Sequence, residues 1–294
     1  MDRTNDGTSA LPRLEAYLNL DTLLDLPGWS AAPAATASAD AGEVAAALKA
    51  AGYTGVQCLD PERYMAAGLR GCILGRANTP DEIRELARSW SGRGLDCGTL
   101  HVGWGFESPQ ESAACARAVV ESSEKYRMPL YIEIHRATIV QDPWRTLQLV
   151  EAVPQVRFNG DFSHWYAGLE LVYGDIAHKW DLLQPVFDRV RFMHLRVGNS
   201  STMQLTLKEP SMKVAMEHYR EMWQRSMAGF LAGAEQGDIF IVAPELLSPT
   251  HNYARRLFDP ASGSWQEDSD RWQESLALVE VARECFRRAS ADSR

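Results

Sequence analysis

PLYIEIH, residues 129–135, decides the fold. Tyr131, Glu133 and His135 alternate with Ile132 and Ile134, the period of two that sends one set to each face of a strand. The isoleucines can pack on a helix behind, while a carboxylate in front must be met by a partner, since an unpaired buried charge is strongly unfavourable. The same construction returns in RFNGDFSH (157–164), VRFMHLRVG (190–198) and IFIVAPELL (239–247), each strand-like with an acidic or imidazole group at or near its end.

Working outward, eight strand-like runs are expected: 14–20, 55–59, 69–75, 95–102, 129–135, 156–161, 190–197 and 238–245. Helical patterns alternate with them at 39–52, 79–94, 108–126, 142–153, 178–187 and 211–236, and a last one at 269–289 closes the series. Thr79-Pro80-Asp81-Glu82 and Ser108-Pro109-Gln110-Glu111 each place a hydroxyl at the N-cap, proline at N1 and an acid at N3, a helix start signal. Alternating strands and helices in this number predict an α/β fold, a single (β/α)8 TIM barrel spanning 13–294, with 1–12 as a disordered tail. The weakest parts of the pattern are the short link DPERYMAAG and the low apolar content of the third strand. GWSAAPAATASAD (28–40) reads as a long loop, a candidate lid.

Composition narrows the function. Apolar residues at 45% and charged ones at 23% are those of an ordinary globular chain, which excludes fibrous and disordered classes. The net charge of −9, with basic residues scattered, opposes a nucleic-acid partner. Five cysteines without CxxC spacing fit reduced thiols better than a disulfide framework or a zinc ribbon. With no apolar leader at the N-terminus and no uninterrupted apolar run long enough to span a bilayer, a cytoplasmic location without a membrane partner is expected.

In such a barrel the chemistry lies at the C-terminal ends of the strands. Glu133, Asp161, His194 and Glu245 fall at those ends on the last four expected strands, about one strand–helix repeat apart, the last interval being longer. Three carboxylates and an imidazole delivered to one point call for a cation. His135 and Arg136 could line the mouth, and Trp104, Trp144 and Trp165 fall in or near the top loops.

The set Glu133, Asp161-Phe-Ser-His164, His194 and Glu245 resembles the metal-binding pattern of the xylose isomerase-like TIM-barrel superfamily, the sugar phosphate isomerase/epimerase family included. That resemblance implies that Glu133, Asp161, His194 and Glu245 hold one divalent ion. His164, His101 and Arg196 would contact substrate. Oxygen-rich ligands favour Mn or Mg, with Co, Zn or Fe also open. The implied substrate is a small carbohydrate-like molecule, and the relatives imply a homodimer or homotetramer.

The implied activity is isomerisation or epimerisation of a small sugar or keto-polyol through an enediolate, with Glu133 and Glu245 as acid and base on the two faces of the substrate. Loss of a β-hydroxyl from the same intermediate would make the protein a dehydratase or lyase. An endonuclease IV-like phosphodiesterase is the weaker alternative: GNSSTMQLTLK after His194 lacks that branch's Asp-x-His, and no histidine stands near Cys58 or Cys72. A non-enzymatic carbohydrate- or metal-binding protein is a further rival. No Gly-rich phosphate loop is present, and Arg136, Arg196 and Lys208 are the basic residues that could meet an anionic group.

Overall fold

The computed structural model describes residues 2–292. A two-residue strand β1 (Thr4–Asn5) precedes the barrel strands β2 (Arg13–Asn19), β3 (Gly55–Cys58), β4 (Arg70–Ala77), β5 (Cys97–Val102), β6 (Leu130–Glu133), β7 (Phe158–Asn159), β8 (Val190–His194) and β9 (Asp238–Ala243). Each of β2 to β9 pairs in parallel with its neighbour, and β9 pairs with both β8 and β2, so the eight strands close on themselves. Around them run α1 (Ala41–Ala50), α2 (Glu62–Met65), α3 (Pro80–Trp90), α4 (Pro109–Tyr126), α5 (Pro143–Ala152), α6 (Ser163–Gly168), α7 (Ile176–Phe187), α8 (Met212–Leu231) and α9 (Arg271–Asp292). The architecture is the single (β/α)8 barrel expected from the alternation.

Helix starts follow the chemistry of their caps. The Ser108 hydroxyl accepts from Glu111 N while Glu111 accepts from Ser108 N, a complete capping box with Pro109 in the first turn. The Asp40, Asp142 and Asp175 carboxylates cap α1, α5 and α7 by accepting from backbone N–H groups of the first turn. The apolar-poor third barrel strand holds because glycine lets a large ring approach it. A Cβ at Gly75 or Gly98 would stand 2.8 or 2.6 Å from the Trp90 indole, so this side chain from α3 covers the backs of β4 and β5 together. No described helix is long and apolar enough to cross a membrane.

Four stretches differ from the expected pattern. The segment 1–12 is not a disordered tail in its described part: β1 pairs antiparallel with β9, and buried Thr4 meets the Tyr131 hydroxyl at 3.1 Å inside the barrel. Its polar composition misled because one hydroxyl, rather than an apolar side chain, makes the plug. The loop 28–40 contains a 3-10 turn at Ala34–Ala37, and Asp270 fastens it by accepting from Ser30 Oγ and Ala31 N, each at 2.7 Å. The strand expected over 156–161 shrinks to Phe158–Asn159, where its pairing with β8 shifts register. A hairpin, β10 (Arg256–Asp259) with β11 (Ser264–Glu267), occupies a stretch where no strand was expected.

The barrel interior has two floors. Tyr17, Cys72, Cys97, Tyr131, Phe192, Ile239, Ile241 and Ala243 form a closed apolar cluster. Above it, towards the C-terminal strand ends, Asn19, Gln57, Thr99, Glu133, Asn159 and His194 are all buried. Such polar groups must be hydrogen-bonded to one another, and the site is built on that requirement.

Candidate metal centre

Glu133 ends β6 and His194 ends β8, while Asp161 and Glu245 each stand two residues beyond β7 and β9. One ligand atom from each of the four lies within 4.8 Å of the others. His194 Nδ1 is 3.6 Å from Glu133 Oε1, 3.7 Å from Asp161 Oδ2 and 3.4 Å from Glu245 Oε2. The site is almost sealed, with side-chain exposures of 3% for Glu133, 0% for Asp161, 1% for His194 and 14% for Glu245.

The floor below fixes which nitrogen faces the acids. Asn19 Nδ2 donates to Glu245 Oε1 at 3.0 Å and to Gln57 Oε1 at 3.0 Å. Gln57 Oε1 is therefore an acceptor, and at 2.8 Å it draws the ring proton to His194 Nε2, while Asn159 Nδ2, 3.3 Å from the same nitrogen, has its better acceptor in Glu133 Oε2 at 3.0 Å. When the ring is neutral, His194 Nδ1 presents a lone pair to three carboxylates, and among the described residues it has no hydrogen-bond partner. An orphaned, buried lone pair among oxygens is the donor arrangement of a metal site whose histidine is oriented by a partner behind it. Charge agrees: with His194 neutral, as ligation requires, three carboxylates against the Arg196 guanidinium leave two negative charges, the complement of a divalent ion. The residues present thus fit such an ion.

Burial opposes ionisation of Glu133 and Asp161. His101 and His194 around the first, and Arg196 and His164 around the second, more than offset it and hold both carboxyls well below the usual range. Glu245 is pushed up by its burial, which His194 and Arg196 do not fully offset, and by the two neighbouring acids. His194 is depressed by burial but raised more by the three carboxylates, to about 9, so an ion bound at Nδ1 would displace a proton from it. Replacing Gln57 with leucine removes the acceptor that sets the His194 tautomer. We expect a 10- to 100-fold (~1–3 kcal/mol) loss of divalent-ion affinity, read by competition with a chromogenic chelator.

The remaining site residues surround this core. His101 Nε2 meets Glu133 Oε1 at 2.8 Å. Its ring lies tilted against His135 (centroids 4.1 Å apart), which lies tilted against His164 (3.9 Å), making a row of three imidazoles along one wall. His101, Glu133 and His135 could also group around an ion, but they share Glu133 with the four-residue set, and the His101 contact is already a hydrogen bond. His164 lies on the short helix α6, where a turn had been expected. Arg196, expected at the substrate, is instead buried and engaged: it pairs with Asp161 and Glu245 and donates to Ser163 Oγ at 3.2 Å. It positions two of the four candidate ligands. The Trp104 and Trp144 rings are exposed, whereas Trp165 is buried and donates to Val140 O. Lys208 is exposed.

Asn19, Gln57 and Thr99 were missed by motif reading, yet the signal was present. Each is a polar residue inside an otherwise strand-like run near its C-terminal end, on the alternation that carries Tyr17 and Cys97 inward. Tyr253, whose ring lies under both Arg196 (4.6 Å) and Arg136 (5.3 Å), sits in an irregular loop that no pattern marks.

No family model matches the chain, and no curated protein matches it. Solved structures do. A D-tagatose 3-epimerase-like protein aligns over 96% of this chain and 100% of its own, with TM-score 0.55 at 9% identity. A sugar phosphate isomerase/epimerase from Parabacteroides distasonis aligns over 92% of this chain and 96% of its own, with TM-score 0.51 at 11% identity. A xylose isomerase domain protein from Planctomyces limnophilus covers 82% of this chain and 92% of its own, with TM-score 0.50 at 14% identity. Together with the closed eight-stranded sheet, these alignments show that the chain has the fold of the xylose isomerase-like TIM barrels and sugar phosphate isomerase/epimerase proteins.

Proposed function

We propose that the protein is a divalent-metal-dependent isomerase or epimerase acting on a small sugar or keto-polyol through an enediolate. The observation that carries the proposal is the unpartnered His194 Nδ1 facing Glu133, Asp161 and Glu245. Those four residues would hold the ion, with Mn or Mg favoured by the three oxygen donors. Bound there, it would supply Lewis acidity to a carbonyl and the hydroxyl beside it. Glu133 and Glu245 come from β6 and the end of β9, so their carboxylates approach a substrate from different sides and can take a proton from one face of a carbon and return one on the other. Return to the same carbon inverts it; return to its neighbour interconverts aldose and ketose. His101 holds the Glu133 carboxylate, and Arg196 holds those of Asp161 and Glu245, so neither acid needs to reorganise as charge moves. The cytoplasmic location and the homodimer or homotetramer expected from the sequence belong to the same proposal.

The test is carbon–deuterium exchange in deuterated water. Free and phosphorylated ketoses are incubated with Mg-loaded protein and followed by proton NMR. The proposal expects loss of one carbon-bound proton signal in at least one compound, abolished by EDTA. Loss of water accompanying the exchange would assign the dehydratase alternative, and absence of exchange across the panel in metal-loaded protein would contradict the enediolate chemistry.

A further inference from the structure

Three guanidiniums gather at the end of the barrel opposite the metal centre. Arg157 leads into β7, Arg191 is the second residue of β8, and Arg3 precedes β1, which pairs with the start of β9. Arg3 and Arg191 lie over one ring, that of Phe230, with their guanidinium carbons 5.7 and 5.9 Å from its centroid. Arg191 is 4% exposed, and its Nη1 reaches only backbone, Asp188 O at 2.9 Å and Val190 O at 2.8 Å. Its Nε has no hydrogen-bond partner, and no carboxylate lies within ion-pair distance of it among the described residues. Burial, with Arg3 and Arg157 as neighbours, pushes it down to about 10. A buried cation without a counter-charge is costly, so it calls for an anion.

One anion already stands nearby. The Asp2 carboxylate accepts from Arg157 Nε at 3.2 Å and Nη2 at 3.0 Å and lies 3.9 Å from Arg3 Nη1, all through the single oxygen Oδ2. It sits in the field of all three arginines: burial raises the carboxyl, but Arg157, Arg3 and Arg191 lower it more. Yet Asp2 is 45% exposed and makes no ion pair with Arg191. Asp238, 3.7 Å from Arg3 Nε, spends its two oxygens on Asn5 Nδ2 and Glu235 N. Arg189, at the rim, has Asp188 beside it to offset its charge.

We infer that this face binds a small, doubly charged inorganic oxyanion, of the sulfate or hydrogen phosphate class, between Arg3, Arg157 and Arg191 and in exchange with the Asp2 side chain. With Asp2 displaced, the three guanidiniums against the Asp238 carboxylate leave two positive charges, the complement of such an ion. The one carboxylate oxygen now present answers Arg157 and leaves Arg191 unpaired, whereas an ion with oxygens on every side can accept from all three arginines, and charge-assisted bonds from guanidinium are the strong ones. Asp2 is then a built-in competitor: it occupies the arginines when the ion is absent and lowers the ion's apparent affinity in proportion. Because the site lies at the N-terminal ends of β7 and β8, its ligand is separate from the substrate of the metal centre, and the inference does not rest on the proposed reaction.

The experiment is calorimetric titration of sodium sulfate into the untagged, full-length, Mg-loaded protein, in a chloride background that holds ionic strength constant. Asp2→Asn, a change at a half-exposed side chain, should bind sulfate about tenfold more tightly than the parent, because the competitor is gone. Arg157→Gln should bind it about tenfold more weakly or worse. Arg63→Gln, the same charge change on α2 at the other end of the barrel, should match the parent. Acetate, with one charge, should bind Asp2→Asn about tenfold more weakly than sulfate does. Sulfate binding that is absent from Asp2→Asn, or no tighter there than in the parent, overturns the inference, as does an affinity that Arg157→Gln leaves unchanged. Equal losses in Arg157→Gln and Arg63→Gln would reduce the effect to net charge and overturn it too, and acetate binding as tightly as sulfate would overturn the doubly charged class. If Arg157→Gln does not fold, the comparison of Asp2→Asn with the parent decides alone.

Discussion

Arg196→Met is expected to lower the free energy of unfolding by about 3–5 kcal/mol, the cost of leaving a buried charge without its partner. Arg196 and Asp161 are essentially inaccessible, with side-chain exposures of 1% and 0%. The guanidinium bonds Asp161, lies 3.1 Å from Glu245 and donates to Ser163 and His164. Methionine fills most of the volume but answers none of these groups, so two carboxylates face each other in a closed space. A divalent ion at the same acids should restore part of the loss, because binding to the folded state alone adds about 2.7 kcal/mol at a hundredfold excess over Kd. Urea unfolding at neutral pH, with and without Mn, reads both effects. A loss below about 1 kcal/mol would put the pair in the class of exposed ion pairs and would refute the sealed charge network.

The second large effect concerns the chemistry. Glu245→Gln keeps an amide that can meet Asn19, yet it removes a charge from the set around His194 and a group able to take up a proton. On whichever compound supports exchange, the rate should fall by about 10²- to 10⁴-fold, the usual contribution of a positioned acid or base. Deuterium incorporation at saturating Mg separates this from weaker metal binding. An unchanged rate would remove Glu245 from proton transfer and leave it as a ligand only.

Much of this was legible in the chain. Alternation at 129–135 and 190–197 marked strands with one polar and one apolar face, and the proline-containing caps at Thr79 and Ser108 marked two helix starts with little ambiguity. Short-range signals suffice there because each element obeys its own period and caps its own end. Glu133, Asp161, His194 and Glu245 could be named for the same reason, as charged groups where strands end. What stayed hidden depends on contacts between distant residues. Nothing local says that Asn19 and Gln57 orient His194, that Arg196 takes Asp161 as its partner, or that Thr4 plugs the barrel. The brevity of β7 comes from a register shift against β8, a property of the pair and not of either strand. Tyr253 follows a 3-10 turn and Asn252 in the left-handed region, in a loop with no periodicity to read.

Metal content of protein purified without an affinity tag tests the central claim most directly, by mass spectrometry on the parent chain and on Glu133→Gln/Glu245→Gln after equilibration with Mn or Mg. The account predicts about one divalent ion per parent chain and none retained by the double variant. A parent chain that binds no divalent ion when it is supplied would contradict it.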